Sequence, residues 1–177
     1  MHETPDDLIH LQALLDRSAA AEGSHMRTIL TPETRLTAEQ LVARLGGMRL
    51  LSLATVTRAG EPRNAPVDGF FYRGAFWFGS SPHSFRFRHI RQRSQVSATY
   101  LEGEEFSVIV HGHATIVDQE SDEFAGFAQY ATDVYGDWWP TQMIAWREEW
   151  GEPAPYARIN ATHLYVYARP PEAPSGG

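Results

Sequence analysis

Between residues 47 and 118 the chain passes through a run of short β-branched and aromatic segments, each closed by a turn signal. No other feature limits its fold as much. Residues 48–57 are apolar and β-branched, and Arg58-Ala59-Gly60-Glu61 reads as the turn into a second strand over 62–72. Arg73-Gly74 is a tight turn into Ala75-Phe76-Trp77-Phe78-Gly79, so three antiparallel strands follow one another. Two more are expected over 95–101 and 105–118, around Glu102-Gly103-Glu104. A last strand is expected over 156–169, where residue types alternate before Leu164-Tyr165-Val166-Tyr167. Six short strands, with too few helices to cover two sheet faces, favour a small closed or nearly closed barrel, because closure removes exposed edges.

Helical patterns occupy the remainder. Leu8, Leu11, Ala13, Leu14 and Leu15 recur at helical spacing over 6–21 behind the cap-like Thr4-Pro5-Asp6-Asp7. A second helix starts at Thr37, where Thr37 and Gln40 form a capping box, and stops at Gly46-Gly47. Ser81-Pro82-His83-Ser84 opens a short arginine-rich helix ending near Arg93. Residues 121–135 form a longer one, with Phe124, Phe127, Ala128 and Ala131 on one side. A short aromatic helix is expected over 143–150. The resulting organisation is a helical segment at 1–46 packed on a barrel domain at 47–169, which carries a helical insertion at 121–150 and a flexible tail at 170–177.

Composition removes several chemistries. The 177 residues contain no cysteine, which excludes disulfides, zinc-thiolate sites, iron–sulfur clusters and cysteine nucleophiles. All 15 basic residues are arginine, so lysine-based mechanisms are absent while planar guanidinium groups remain for phosphate or carboxylate. A net charge of -7 offers no field to draw in a polyanion, and nucleic acid is not an expected partner. No apolar run approaches the roughly 18 residues of a membrane span, and a cytoplasmic protein with no membrane contact is expected. Any redox chemistry has to come from a bound cofactor.

The stretch from Gly79 to Ile90 is the most informative chemically. A strand ends in hydroxyl residues and a helix begins, so free backbone N–H groups, serine hydroxyls and a positive helix end converge, with Arg86 and Arg88 in the first turns. This is a recipe for a phosphate site. Spacing alone equally allows Ser81 or Ser84 to cap the helix while the arginines form a solvated face. In His111-Gly112-His113 the two imidazoles share one strand face, but Gly112 reads as a bulge or a close backbone approach, and no metal site is expected. His83 and His89 lie by the same helix and could assist an anion, but His89 is expected to face solvent or a partner. Trp138, Trp139, Trp146 and Trp150, with Tyr130 and Tyr135, either roof a flat ring or serve as packing. Asp133, Asp137 and Glu148-Glu149 read as solvated charges, which gives no basis for a glycosidase or a metal hydrolase.

Five segments in order carry a resemblance. They are Gly60-Glu61-Pro62-Arg63-Asn64-Ala65-Pro66-Val67, Phe76-Trp77-Phe78-Gly79-Ser80-Ser81, Ser84-Phe85-Arg86-Phe87-Arg88-His89-Ile90, Gln95-Val96-Ser97-Ala98-Thr99-Tyr100 and Val110-His111-Gly112-His113-Ala114. Together they resemble the cofactor-binding core of the pyridoxamine 5'-phosphate oxidase-like split barrels. The resemblance implies a mainly β fold, a six-stranded antiparallel split barrel of Greek-key type, working as a homodimer with its cofactor between the subunits. It places Arg63, Ala65, Pro66 and Val67 against a flavin ring. Phe78, Gly79, Ser80, Ser81, Ser84, Arg86 and Arg88 then lie along the ribityl phosphate, with Arg86 where the family often has lysine. Tyr100, Trp138 and Trp139 are assigned to the substrate side, and no catalytic residue is singled out.

The end Tyr156-Ala157-Arg158-Ile159-Asn160-Ala161-Thr162-His163 lacks the founding enzyme's arginine- and histidine-containing signature. Oxidation of pyridoxamine phosphate itself is therefore not expected. The resemblance implies an FMN-dependent oxidoreductase acting on a small organic substrate. A reductase using the deazaflavin coenzyme F-420 is the alternative within the fold, and a non-enzymatic flavin or haem carrier is the alternative outside enzymology.

Overall fold

The computed structural model describes residues 2–170; the expected tail therefore falls, apart from Pro170, outside the described residues. The elements are α1 (Pro5–Ala20), α2 (Ser24–Ile29), α3 (Ala38–Arg44), β1 (Met48–Val56), β2 (Pro62–Tyr72) and β3 (Ala75–Gly79). There follow α4 (Phe85–Gln92), β4 (Gln95–Glu102), β5 (Phe106–Ile116), α5 (Asp122–Tyr135), α6 (Trp138–Trp150) and β6 (Tyr156–Ala168). The six strands close a barrel in the order β1-β2-β3-β6-β5-β4, every neighbour antiparallel. Among the described residues no helix is long and apolar enough to cross a membrane.

Local chemistry sets most boundaries. Thr4 and Asp7 form a reciprocal capping box at α1, with Pro5 at the first helical position, and Thr37 and Gln40 do the same at α3. The β2–β3 hairpin turns on Arg73 and Gly74, at φ 51° and 76°. Positive φ at both central residues twists the turn to match the strands it joins. The aromatic helix starts earlier than the sequence indicates, at Trp138 rather than near Met143. Pro140 lies in its first turn, where a missing N–H costs no intrahelical bond.

Two hydrophobic clusters hold the molecule together. The barrel interior joins Leu51, Leu53, Val67, Phe76, Phe78, Val108 and Ile159 to Leu11, Leu14 and Leu15 of α1, Leu41 of α3, and Phe87 and Ile90 of α4. The outer faces of β2, β3 and β6 are covered by α5 and α6, where Phe70, Tyr72, Trp77 and Tyr156 meet Phe127, Tyr130 and Trp139. Trp77 and Phe127 stack at 4.5 Å with planes 8° apart. This double coverage explains why Phe70-Phe71-Tyr72 and Phe76-Trp77-Phe78 are unbroken aromatic runs rather than alternating ones. Across the barrel the β5–β6 register shifts between His111 and Gly112. A side chain at Gly112 would meet the backbone of Asn160 and Ala161, so the glycine marks a close backbone approach.

Candidate functional site

The first half of β2 runs beyond its coverage, and residues 62–66 are all exposed. Strand alternation turns Arg63 and Ala65 to the side of Leu53, with which Ala65 is paired, while α4 crosses the same end of the barrel. Between them lies a cleft of about 270 Å3. Leu53, Thr55, Arg63 and Ala65 line it from the strands, and Ser84, Phe85, Arg86 and His89 from the helix.

Arg86 is the electrostatic centre of this end. Its guanidinium donates from Nη1 to Ser80 Oγ at 3.1 Å and from Nη2 to the Pro66 carbonyl oxygen at 2.8 Å. Arg35, Arg44, Arg63, Arg73, Arg158 and Arg169 all pair with carboxylates. Arg86 pairs with none among the described residues. Burial pushes it below the usual arginine value, with nothing acidic to oppose the shift. A half-buried cation held only by neutral acceptors has unmet demand for negative charge, which an anion would supply.

The other serines serve the backbone. Ser84 Oγ caps α4 by accepting from the Phe87 N–H at 3.4 Å, and Ser81 Oγ accepts from the His83 N–H at 3.3 Å. The two readings of this stretch therefore divide: Ser84 caps the helix, Ser81 serves the turn before it, and Arg86 is half-buried rather than a solvated charge. The helix itself begins at Phe85, after a turn at Pro82-His83, rather than at Ser81.

Other residues singled out in the sequence are spread around this centre. Arg63 reaches outward to Glu61 at 2.7 Å, an ion pair more than half exposed on both sides and of little energetic consequence. Pro66 contributes its carbonyl. Val67 and Phe78 are buried in the barrel interior, so their side chains are committed to packing, and Phe78 sits 6.0 Å from Phe87. Arg88 is exposed and lies over the Phe85 ring at 4.6 Å instead of joining Arg86. Gly79 abuts the Tyr156 ring, and Trp138 and Trp139 lie with it on the outer face of the barrel. Tyr100 packs at the opposite end, where its hydroxyl donates to Glu102 at 2.8 Å beneath Arg49. Neither it nor the tryptophans line the cleft.

Thr55 and His89 are a pair that sequence reasoning missed. Thr55 is 4% exposed, and its Oγ1 lies 2.9 Å from His89 Nδ1. The direction of this hydrogen bond follows the imidazole tautomer. His89 faces the cleft, not solvent. The signal was available, because Arg86 and His89 are three residues apart on one helix and so share a face.

These features match a known family. A profile of the pyridoxamine 5'-phosphate oxidase family matches residues 37–168, well over half of the chain. No protein among the curated ones matches the sequence. Solved structures share the fold. The conserved hypothetical protein Rv2991 of Mycobacterium tuberculosis superposes with a TM-score of 0.61 at 19% identity, covering 83% of this chain and 96% of that one. HutZ of Vibrio cholerae, described as a haem storage protein, gives 0.57 at 14% identity over 73% of this chain and 91% of its own. A protein of Mesorhizobium loti described as FAD-binding gives 0.53 at 18% identity, covering 74% and 92%. Identities this low speak for the fold alone, but the profile match covers all six strands and the helix bearing Arg86: the chain belongs to the pyridoxamine 5'-phosphate oxidase family.

Proposed function

We propose that the chain is an FMN-dependent oxidoreductase acting on a small organic molecule, with its cofactor in the cleft between β1, β2 and α4. The observation that carries the reading is Arg86: half-buried, anchored by two neutral acceptors and lacking any carboxylate among the described residues. Arg86 and the Ser80 hydroxyl would hold the phosphate. Ala65, Leu53 and Phe85 would offer apolar contact to the ring system, and His89 a hydrogen bond to one of its polar atoms. A flavin supplies the hydride and electron chemistry itself, so the chain's task is to hold, orient and exclude water.

A homodimer is part of the proposal. A cleft of about 270 Å3 lies below the ~300–1,000 Å3 of sites that bury most of a drug-sized ligand. Residues 62–66 border it and are exposed, and Leu50 and Leu101 on the outer barrel wall are 59% and 61% exposed. A second copy seated there would cover both. The test is mass spectrometry of small molecules released from the native protein, together with FMN and deazaflavin titrations and the sedimentation mass. FMN release or saturable FMN binding by a dimer is the expected result. Saturable binding of the deazaflavin with no FMN affinity would move the assignment to F-420, and binding of neither would remove the enzyme reading.

The likeness to a haem storage protein and to an FAD-binding protein favours one second reading, a carrier that binds flavin or haem without turnover. Reduction of the bound cofactor followed by stopped-flow reoxidation with candidate acceptors separates the two. A carrier shows no acceptor-dependent rate.

A further inference from the structure

The outer face of β2 carries a second cavity, unconnected with the cleft. It measures about 80 Å3, several times the ~10–15 Å3 that a single water requires. Its walls include Tyr135, Trp138 and Trp146, the buried Trp139 and Tyr156, and the exposed carboxylate of Asp68. Asp68 and Phe70 alternate with Val67 and Gly69, so this cavity and the cleft occupy opposite sides of one strand and share no lining side chain.

The rings meet edge to face. Trp138 and Trp146 stand at 90° with centroids 6.2 Å apart, and Tyr135 meets Trp138 at 5.3 Å and 61°. Aromatic faces carry the negative side of the ring quadrupole. A cation inside so small a cavity would lie within the ~6 Å reach of a cation–π contact to the rings that line it. Among the described residues the chain supplies no such cation of its own. Its arginine contacts fall on Phe106, Tyr100 and Phe85, and no arginine lines the cavity.

Asp68 strengthens the case. Among the described residues it has no ion-pair partner. Its charge reaches the neighbouring phenols. Burial, with Asp68 second, raises Tyr135, and burial takes Tyr156 to about 12, with Asp68 adding to the rise. The cavity is thus aromatic, negative and uncompensated. Trp138, one of its lining residues, is 53% exposed, so the cavity is reached from solvent.

We propose that this cavity is a binding site for a small tertiary or quaternary alkylammonium ion, held by the faces of Tyr135, Trp138 and Trp146 and balanced by Asp68. A primary ammonium fits less well, because its three N–H donors would lose water with too few acceptors to replace it, whereas an alkylated one has few or none to satisfy. The proposal does not rest on the flavin reading, since binding here needs no cofactor.

The test is calorimetric titration of the full chain at low ionic strength with choline, set against 3,3-dimethyl-1-butanol, its neutral isostere in which carbon replaces nitrogen. Choline is expected to saturate one site per chain, and the isostere to bind at least about tenfold more weakly. Trp138→Leu and Asp68→Asn should each weaken choline several-fold. Both positions are exposed, and circular dichroism confirms that the variants remain folded. Equal affinity for choline and the alcohol would reduce the cavity to an apolar pocket and overturn the proposal. So would the absence of saturable choline binding, or unchanged affinity in both variants.

Discussion

Replacing Arg86 by alanine isolates the anion cradle from the rest of the cleft. The side chain makes two hydrogen bonds to neutral acceptors, at 3.1 and 2.8 Å, and no ion pair among the described residues. Its loss to the folded state is therefore small. Two bonds disappear, but a half-buried charge also escapes its desolvation cost, and the net change in stability should stay within about 1 kcal/mol. Binding should respond differently. A charged hydrogen bond to a phosphate is worth about 1.5–3 kcal/mol, which corresponds to roughly 10- to 150-fold in FMN dissociation constant. Fluorescence titration with FMN and with riboflavin, which lacks the phosphate, provides the assay. The wild-type chain should prefer FMN, and Arg86→Ala should erase most of that preference while riboflavin affinity barely moves. Arg86→Lys should recover part of it, because lysine restores the charge without the planar fork. Equal losses for FMN and riboflavin, or an unchanged FMN affinity, would refute the cradle.

Other outcomes follow from the fold. Gly112→Ala places a Cβ 2.9 Å from Ala161 Cα and against the Asn160 carbonyl, backbone that cannot swing aside; a loss of about 3 kcal/mol, or roughly 6–12 °C in Tm, is expected in thermal unfolding. Burial works against Asp7 ionising, but the Thr4 N–H and hydroxyl and the Arg73 guanidinium outweigh it and hold the carboxyl below 3.8. Its stabilising effect is thus complete above pH 3.8 and lost as pH falls through the lower folded value. Asp7→Asn should cost about 1 kcal/mol at pH 7, and denaturation curves of the two proteins should converge near pH 2. Glu22, with its side chain 2% exposed, pairs with Arg35 at 2.8 Å. Arg35→Met should cost about 2–3 kcal/mol by stranding that carboxylate, and adding Glu22→Gln should return part of the loss in urea unfolding.

Local elements were largely legible. β2 and β3 fall at residues 62–72 and 75–79, where alternation, aromatic runs and the Arg73-Gly74 turn place them. The capping boxes at Thr4 and Thr37 anchor α1 and α3 for reasons contained within four residues. By contrast, α2 gave no signal, because it buries no residue and so imposes no apolar period. The site was half legible. Arg86 and Ser80 emerged from the strand-to-helix handover, and they do meet. His89 and Thr55 lie 34 residues apart and touch only because α4 docks on β1. Asp68 carries no signal in the sequence, and only the docking of α5 and α6 sets aromatic rings beside it.

What the amino-acid order determined by itself is whatever depends on neighbours along the chain: turns, caps, strand periodicity, and the absence of thiol and amine chemistry. Tertiary structure alone decided which strands close the barrel, since the pairing of β3 with β6 and of β1 with β4 joins segments far apart in sequence. It also left Arg86 half-buried against neutral acceptors and without a carboxylate among the described residues. Every arginine carries the same charge in the sequence, and only the packed chain distributes the acidic partners among them.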